Sequence, residues 1–249
     1  MSTAVSISVA RKNDYPTTDG RPMAETDIHR DNMFDSIESL KRYFAFDPMI
    51  YVSGNLLLFY VPGNKRKHIS PDVFVVKGVE KRLRDNYLIW EEGKGPDAAI
   101  ELTSSSTRAE DTKKKFLLYQ DVLKVPEYFL FDPKDDYLDP PLQGHRLVRG
   151  KYVPIRPILG RLPSAVLGLH LERHGNELRL FNPQTKRWLP TPREAAEEAQ
   201  AKAERAKAKA ERVELLLQKS ENARLQAEAD TARMQLEIER LKRHPGPTG

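Results

Sequence analysis

The 249-residue chain contains no cysteine. Disulfides and thiolate metal sites are therefore excluded. A chain without cysteine fits a reducing compartment, and a cytoplasmic location is expected. There is no apolar run of about 18 residues, so no membrane span is expected. The opening stretch, residues 1–22, lacks the apolar core of a secretory signal and reads as a polar, loose lead-in. No strong charge imbalance exists either: the net charge is +5 and the pI about 9.2. Such a mild excess permits binding to a polyanion without demanding it. Basic residues do cluster, at Lys65-Arg66-Lys67-His68 and at Lys113-Lys114-Lys115. Each cluster taken alone reads most simply as solvated surface.

What the chain does contain is a stretch from Pro96 to Pro133, PDAAIELTSSSTRAEDTKKKFLLYQDVLKVPEYFLFDP. It reads as a strand, a polar turn, a helix and a second apolar strand. Side chains alternate along a strand, so Asp97, Ala99, Glu101 and Thr103 share one face and Ala98, Ile100 and Leu102 the other. Carboxylates in such a half-buried strand are costly unless they are paired or hold a metal. Thr107, with Glu110 three residues on, has the capping-box spacing for a helix running to about Leu123.

Before this stretch, residues 23–46 have helical periodicity with Thr26 as N-cap. The sequence MIYVSGNLLLFYVPG predicts a hairpin turning at Ser53-Gly54-Asn55. Strands are expected at PDVFVV (71–76) and NYLIWEE (86–92). After it, short hairpins are predicted, turning at Arg149-Gly150 and at His174-Gly175-Asn176. Residues 183–192 read as a linker or domain edge.

The acids and one lysine carry the chemistry. Asp72 heads the PDVFVV strand, while Asp97 and Glu101 share a strand face. Lys115 lies in the following helix with Asp111 and Tyr119 four residues to either side, near one helix face. A helix folded back beside its strand would let the lysine reach the carboxylates. Acids plus a lysine are the equipment of metal-dependent phosphodiester hydrolysis. Carboxylates bind Mg²⁺ through oxygen, the metal activates water, and the lysine stabilises phosphorane charge or orients the water. Plainer readings stand beside these. Asp72 after Pro71 also suits a turn, Asp97 also suits a strand entrance, and Lys115 is one of three consecutive lysines. Asp111 and Tyr119 suit orienting or packing better than reacting. His29 is a weaker candidate beside the first helix, and Ser104, Ser105 and Ser106 suit either phosphate contacts or a soluble loop.

The order PDV, D-x3-E, SSST, D-x3-K-x3-Y and VPEYFLFDP resembles the Uma2 family of restriction-endonuclease-type proteins, within the PD-(D/E)xK nuclease superfamily. The resemblance covers roughly residues 23–180. It implies an α/β fold, a restriction-endonuclease-like mixed central sheet flanked by helices over 23–182. It implies a Mg²⁺-dependent DNA endonuclease, with Mn²⁺ as a possible substitute. Asp72 would be the first acid and Glu101 the second, both holding metal. The superfamily lysine belongs two residues after Glu101, where this chain has Thr103; the matching residue is Lys115, in the helix. Glu25 matches an additional metal-directed acid of many superfamily members.

The tail lies outside that resemblance. From Arg193 to Arg243 there is no glycine or proline, and Ala, Glu, Lys, Arg, Leu and Gln dominate. Small or apolar residues recur at alternating four- and three-residue spacing: Ala199, Ala203, Ala206, Ala210, Val213, Leu217, then Ala227, Met234, Ile238 and Leu241, with Ser220, Arg224 and Thr231 interrupting. A long helix or coiled coil over 193–243 is predicted, and with it a homo-oligomer, most simply a dimer. Twelve basic and eleven acidic residues leave this segment nearly neutral, so it is not a basic DNA arm. Residues 244–249 read as disordered by composition. A second functional class is a catalytically inactive DNA-binding or assembly module whose coiled coil does the work.

Overall fold

The structure, a computed structural model, describes residues 15–18, 20, 26–104 and 110–243, the last span with side chains from 113 to 240. The chain divides into two compact units, residues 1–192 and 193–249. Glu25 and the Ser105–Ser106 pair lie outside the described residues, as does the side chain of Asp111.

Helix α1 (Asp27–Tyr43) begins at Thr26, whose hydroxyl accepts from the His29 N–H at 3.3 Å. Strand β1 (Ile50–Ser53) follows, then β2 (Leu58–Phe59), β3 (His68–Ile69), β4 (Val73–Lys77) and β5 (Tyr87–Leu88). A short helix α2 (Ile89–Glu92) leads into β6 (Ala98–Leu102). A helix over 110–122 then connects to β7 (Glu127–Phe131). Beyond it come β8 (Leu142–Val148), β9 (Lys151–Pro154), β10 (Leu162–Ser164), β11 (Leu169–His174), β12 (Glu177–Asn182) and β13 (Arg187–Trp188).

Six strands form the central sheet in the order β1-β4-β6-β7-β8-β9. All neighbours are antiparallel except β6 and β7, which run parallel. A parallel pair needs a crossover, and the helix over 110–122 supplies it. The period of two sorts the side chains. One face carries Val73, Val75, Ile100, Leu102, Phe129 and Phe131 into a core closed by Leu40 of α1 and by leucines of β10–β12. The other carries Phe74, Val76, Ala99, Tyr128 and Leu130 into a core closed by Tyr119 of the crossover helix. With both faces covered, all five residues of β6 are buried.

Three expectations change. First, β1 and β2 form no hairpin: β1 pairs with β4, while β2 pairs with β3 and β5 in a separate three-stranded sheet. The Ser53-Gly54-Asn55 turn instead packs against the segment leading into β4, with the Asn55 N–H donating to the Pro71 carbonyl at 2.8 Å. Second, NYLIWEE is strand only at β5, because Ile89 opens a helical turn closed by Gly93 at φ 81°. Third, the stretch read as a linker or domain edge contains β13, which pairs with β12, and the first unit runs on to Pro192.

The second unit is helix α3 (Pro192–Arg243), 52 residues long. Its seam residues Val213, Leu217, Met234 and Ile238 are exposed. Among the described residues, no helix is long and apolar enough to cross a membrane.

Candidate active site

The antiparallel register of β4 and β6 sets Val73 against Ile100. One step further along both strands, Asp72 stands opposite Glu101. Two carboxylates far apart in sequence therefore meet at the end of β4. The Asp72 N–H lies 3.4 Å from Glu101 Oε2, and Asp72 Oδ2 accepts from the Leu102 N–H at 2.7 Å. Each acid is thus clamped to the backbone of the other's strand.

Lys115 comes from the crossover helix, whose winding is unusual. It consists of two π-helical segments, Glu110–Lys115 and Leu118–Val122. Such turns are rare and recur at functional sites. Residues four apart share a helix face, so Lys115 and Tyr119 project together towards β6. Lys115 Nζ donates to Glu101 Oε2 at 2.7 Å, and the Tyr119 hydroxyl donates to Glu101 Oε1 at 2.6 Å. Glu101 is fully buried, with both oxygens engaged. The lysine expected from the family pattern to have moved into the helix is the one that reaches the glutamate.

From α1, His29 Nε2 stands 3.6 Å from Asp72 Oδ1, an ion-pair separation too long for a hydrogen bond. Burial would raise the Asp72 carboxyl. Nearby His29, the Lys115 ammonium and the Leu102 N–H outweigh it and hold the group below the usual carboxylate range. Burial, followed by the negative charge of Glu101, pushes the Tyr119 phenol well above its usual value. Tyr119 therefore stays protonated and remains a donor.

The other candidates are placed differently. Asp97 precedes β6 at its far end. Its Oδ2 accepts from the Lys77 N–H at 2.6 Å, and its Oδ1 from Lys94 Nζ at 2.9 Å. Alternation does put Asp97 on the Glu101 side, but about 13 Å away at the rise of a strand. Thr103, in the superfamily's lysine position, is buried and hydrogen-bonds to the Tyr137 hydroxyl.

By sequence pattern Gly54 is only a turn residue. A Cβ on it would stand 2.0 Å from the Asp72 carbonyl oxygen and 2.6 Å from Ile37 Cδ1. The absence of a side chain is what lets the turn press against Asp72. No signal in the sequence distinguishes this glycine from an ordinary turn glycine.

The arrangement is thus a pair of strand acids, a helix lysine and a tyrosine brace, with a histidine at the outer side. Against known proteins, a family model described as "Uma2: Putative restriction endonuclease" matches residues 22–173. No curated protein matches the chain. Among solved structures, one described as "a putative nuclease belonging to DUF820 from Anabaena variabilis" aligns with a TM-score of 0.45 and 16% identity, covering 61% of this chain and 80% of that one. The family match spans α1, the strands that position Asp72 and Glu101 and the helix that carries Lys115, and by it this chain belongs to the Uma2 family.

Proposed function

We propose that the protein is a metal-dependent DNA endonuclease that hydrolyses phosphodiester bonds by in-line attack of water. The observation that carries this reading is the meeting of Asp72, Glu101 and Lys115 across three elements.

The donor set fits a hard divalent cation such as Mg²⁺, with Mn²⁺ as a substitute. Asp72 and Glu101 offer oxygen only, and a carboxylate oxygen that accepts one hydrogen bond keeps a second lone pair. Among the described residues, no three His, Asp or Glu side chains converge into a metal cage. Mg²⁺ needs none, because one or two carboxylates and its own waters suffice. When bound, the cation would acidify water and offset phosphate charge.

The remaining work belongs to the chain. The Lys115 ammonium, 2.7 Å from Glu101, is fixed where it can donate to a phosphate oxygen as charge builds there. Tyr119 holds Glu101 from the opposite oxygen and keeps that carboxylate from turning away. The Leu102 N–H orients Asp72. Water attacks phosphorus opposite the leaving 3′ oxygen, which departs with a proton, and the product carries a 5′-phosphate. The exposed Lys113 and Lys114 flank the site and would attract the backbone without reading sequence.

The test is plasmid cleavage with Mg²⁺ by the native protein, Glu101→Ala and Lys115→Ala. Nicking or linearisation by the native protein, lost by at least a hundredfold in both variants, supports the assignment. Equal cleavage by all three sinks it.

A second reading has one specific observation in its favour. Glu101 is fully enclosed and both its oxygens are already satisfied, as in a structural ion pair. On that reading the domain is a DNA-binding or assembly module, and fold alone does not secure catalysis. Calorimetry with Mn²⁺ separates the two: binding that disappears in Asp72→Ala favours the nuclease, and no Asp72-dependent binding favours the module. On either reading, we propose that the exposed seam of α3 makes the protein a dimer.

A further inference from the structure

We infer that two copies of α3 associate antiparallel, each helix laying its alanine-rich first half against the other's larger-residue second half. This rests on the self-association proposed above and adds its direction and register.

The seam is uneven. In heptad terms Ala203, Ala210, Leu217, Arg224, Thr231 and Ile238 occupy a positions. The d positions begin with Ala199 and Ala206, continue through Val213 and Ser220, and end at Ala227 and Met234. All of these side chains are exposed on the lone helix. A parallel pair matches like with like. Its first four layers would be alanine on alanine, which bury little apolar area. Arg224 would face Arg224 of the second copy in the core, where like charges repel. On the flanks, Lys202 would face Lys207 of the second copy, with Lys209 and Glu214 as a compensating pair.

Reversing one helix about its midpoint, between Gln218 and Lys219, separates the two copies of Arg224 and leaves one alanine-on-alanine layer, Ala210 with Ala227, in place of four. Ala199 then faces Ile238 of the second copy, and Ala203 faces Met234. Small residues against large ones let the helices approach and still fill the layer. Arg224 faces Val213, against which its aliphatic stem packs while the guanidinium reaches solvent. The flanking g and e positions become complementary. Lys202 meets Glu237, Lys209 meets Asp230 and Lys207 meets Glu228, and symmetry doubles each pair. One like pair, Glu214 with Glu221, opposes them. A one-heptad slide in either direction sets Glu221 or Glu214 against its own copy. Charge pairing of this kind sets partner orientation more than affinity.

The chain's lack of cysteine makes the test clean. Ala203→Cys, Met234→Cys and the double variant are made in the full-length protein, oxidised mildly and run on a non-reducing gel. The two positions of one chain are 31 residues apart in a straight helix, roughly 46 Å, so they cannot join within a chain. The expected result is covalent dimer at least tenfold more abundant in the double variant than in either single. Equal cross-linking by Ala203→Cys alone overturns the antiparallel arrangement, because only a parallel pair brings Ala203 to itself. Absence of cross-linking in the double variant, with a dimeric mass in sedimentation of the native protein, overturns the register and leaves self-association standing. A monomeric mass at all concentrations overturns both.

Discussion

Glu101 has no exposure at all, and its charge is supported by Lys115 on one oxygen and Tyr119 on the other. Removing one member of a buried ion pair leaves an uncompensated charge, which costs about 3–5 kcal/mol. Lys115→Met should therefore destabilise the fold by an amount near that range in urea denaturation. Adding Glu101→Gln should recover a large part of it, since the carboxylate that needed the lysine is then gone. Strict additivity of the two changes would mean that the pair is not coupled. Glu92 makes a second residue-scale case. Its hydrogen bonds to Arg84, assisted by Arg84 and Arg82 charge and opposed by burial, hold it below the ordinary glutamate value of 4.5. A carboxyl with a depressed folded value contributes stability that is complete above its unfolded value. That stability is lost as pH falls through the folded one. Glu92→Gln should therefore flatten the loss of thermal stability below about pH 4.5 and lower stability at pH 7. An unchanged acid limb would count against the assignment.

At the level of elements, the site depends on how closely one turn approaches one strand. Gly54 brings the β1–β2 connection onto the Asp72 backbone, with space for no further carbon. In Gly54→Ala the new methyl must push away the Asp72 carbonyl or the turn itself. Overpacking of this kind costs about 1–3 kcal/mol. Because the displaced strand carries Asp72, cleavage should fall by more than the lost stability explains, even at temperatures where the variant is fully folded. A variant that loses stability but keeps full activity would show that the turn is only a packing feature. The crossover helix over 110–122 is the other element-scale device, since its four-residue spacing puts Lys115 and Tyr119 on a single target.

For the whole molecule, the boundary between the units is the relevant scale. The first unit holds onto the chain as far as Pro190, whose carbonyl accepts from Ser39 Oγ at 3.1 Å and from Arg42 Nη1 at 3.3 Å. The Leu189 N–H donates to the Leu180 carbonyl at 2.7 Å. A chain ending at Pro192 keeps these contacts. It should melt within a few degrees of the full-length protein and sediment as a monomer. A chain ending at Asn182 loses β13 and the Pro190 contacts, and should melt several degrees lower. Equal melting of the two truncations would place the domain edge earlier than the pairing of β12 and β13 indicates.

Local patterns in the sequence determined much of this protein. The alternation in β6, the apolar run of β7, the turns at Arg149-Gly150 and Gly175-Asn176 and the glycine-free α3 all rest on neighbours a few residues apart. Family spacing carried Asp72, Glu101 and Lys115 into one hypothesis. What only the tertiary structure decided is strand order. The same alternation that set Asp97 beside Glu101 on one strand face said nothing of which strands lie alongside. Pairing of β4 with β6 put Asp72 opposite Glu101 and gave Asp97 to Lys94 and the Lys77 N–H. The same order sent β1 and β2 to different sheets, where local turn signals had predicted a hairpin. Side-chain period tells which face a residue takes; only closure of the cores against α1 and the crossover helix selects which strands meet.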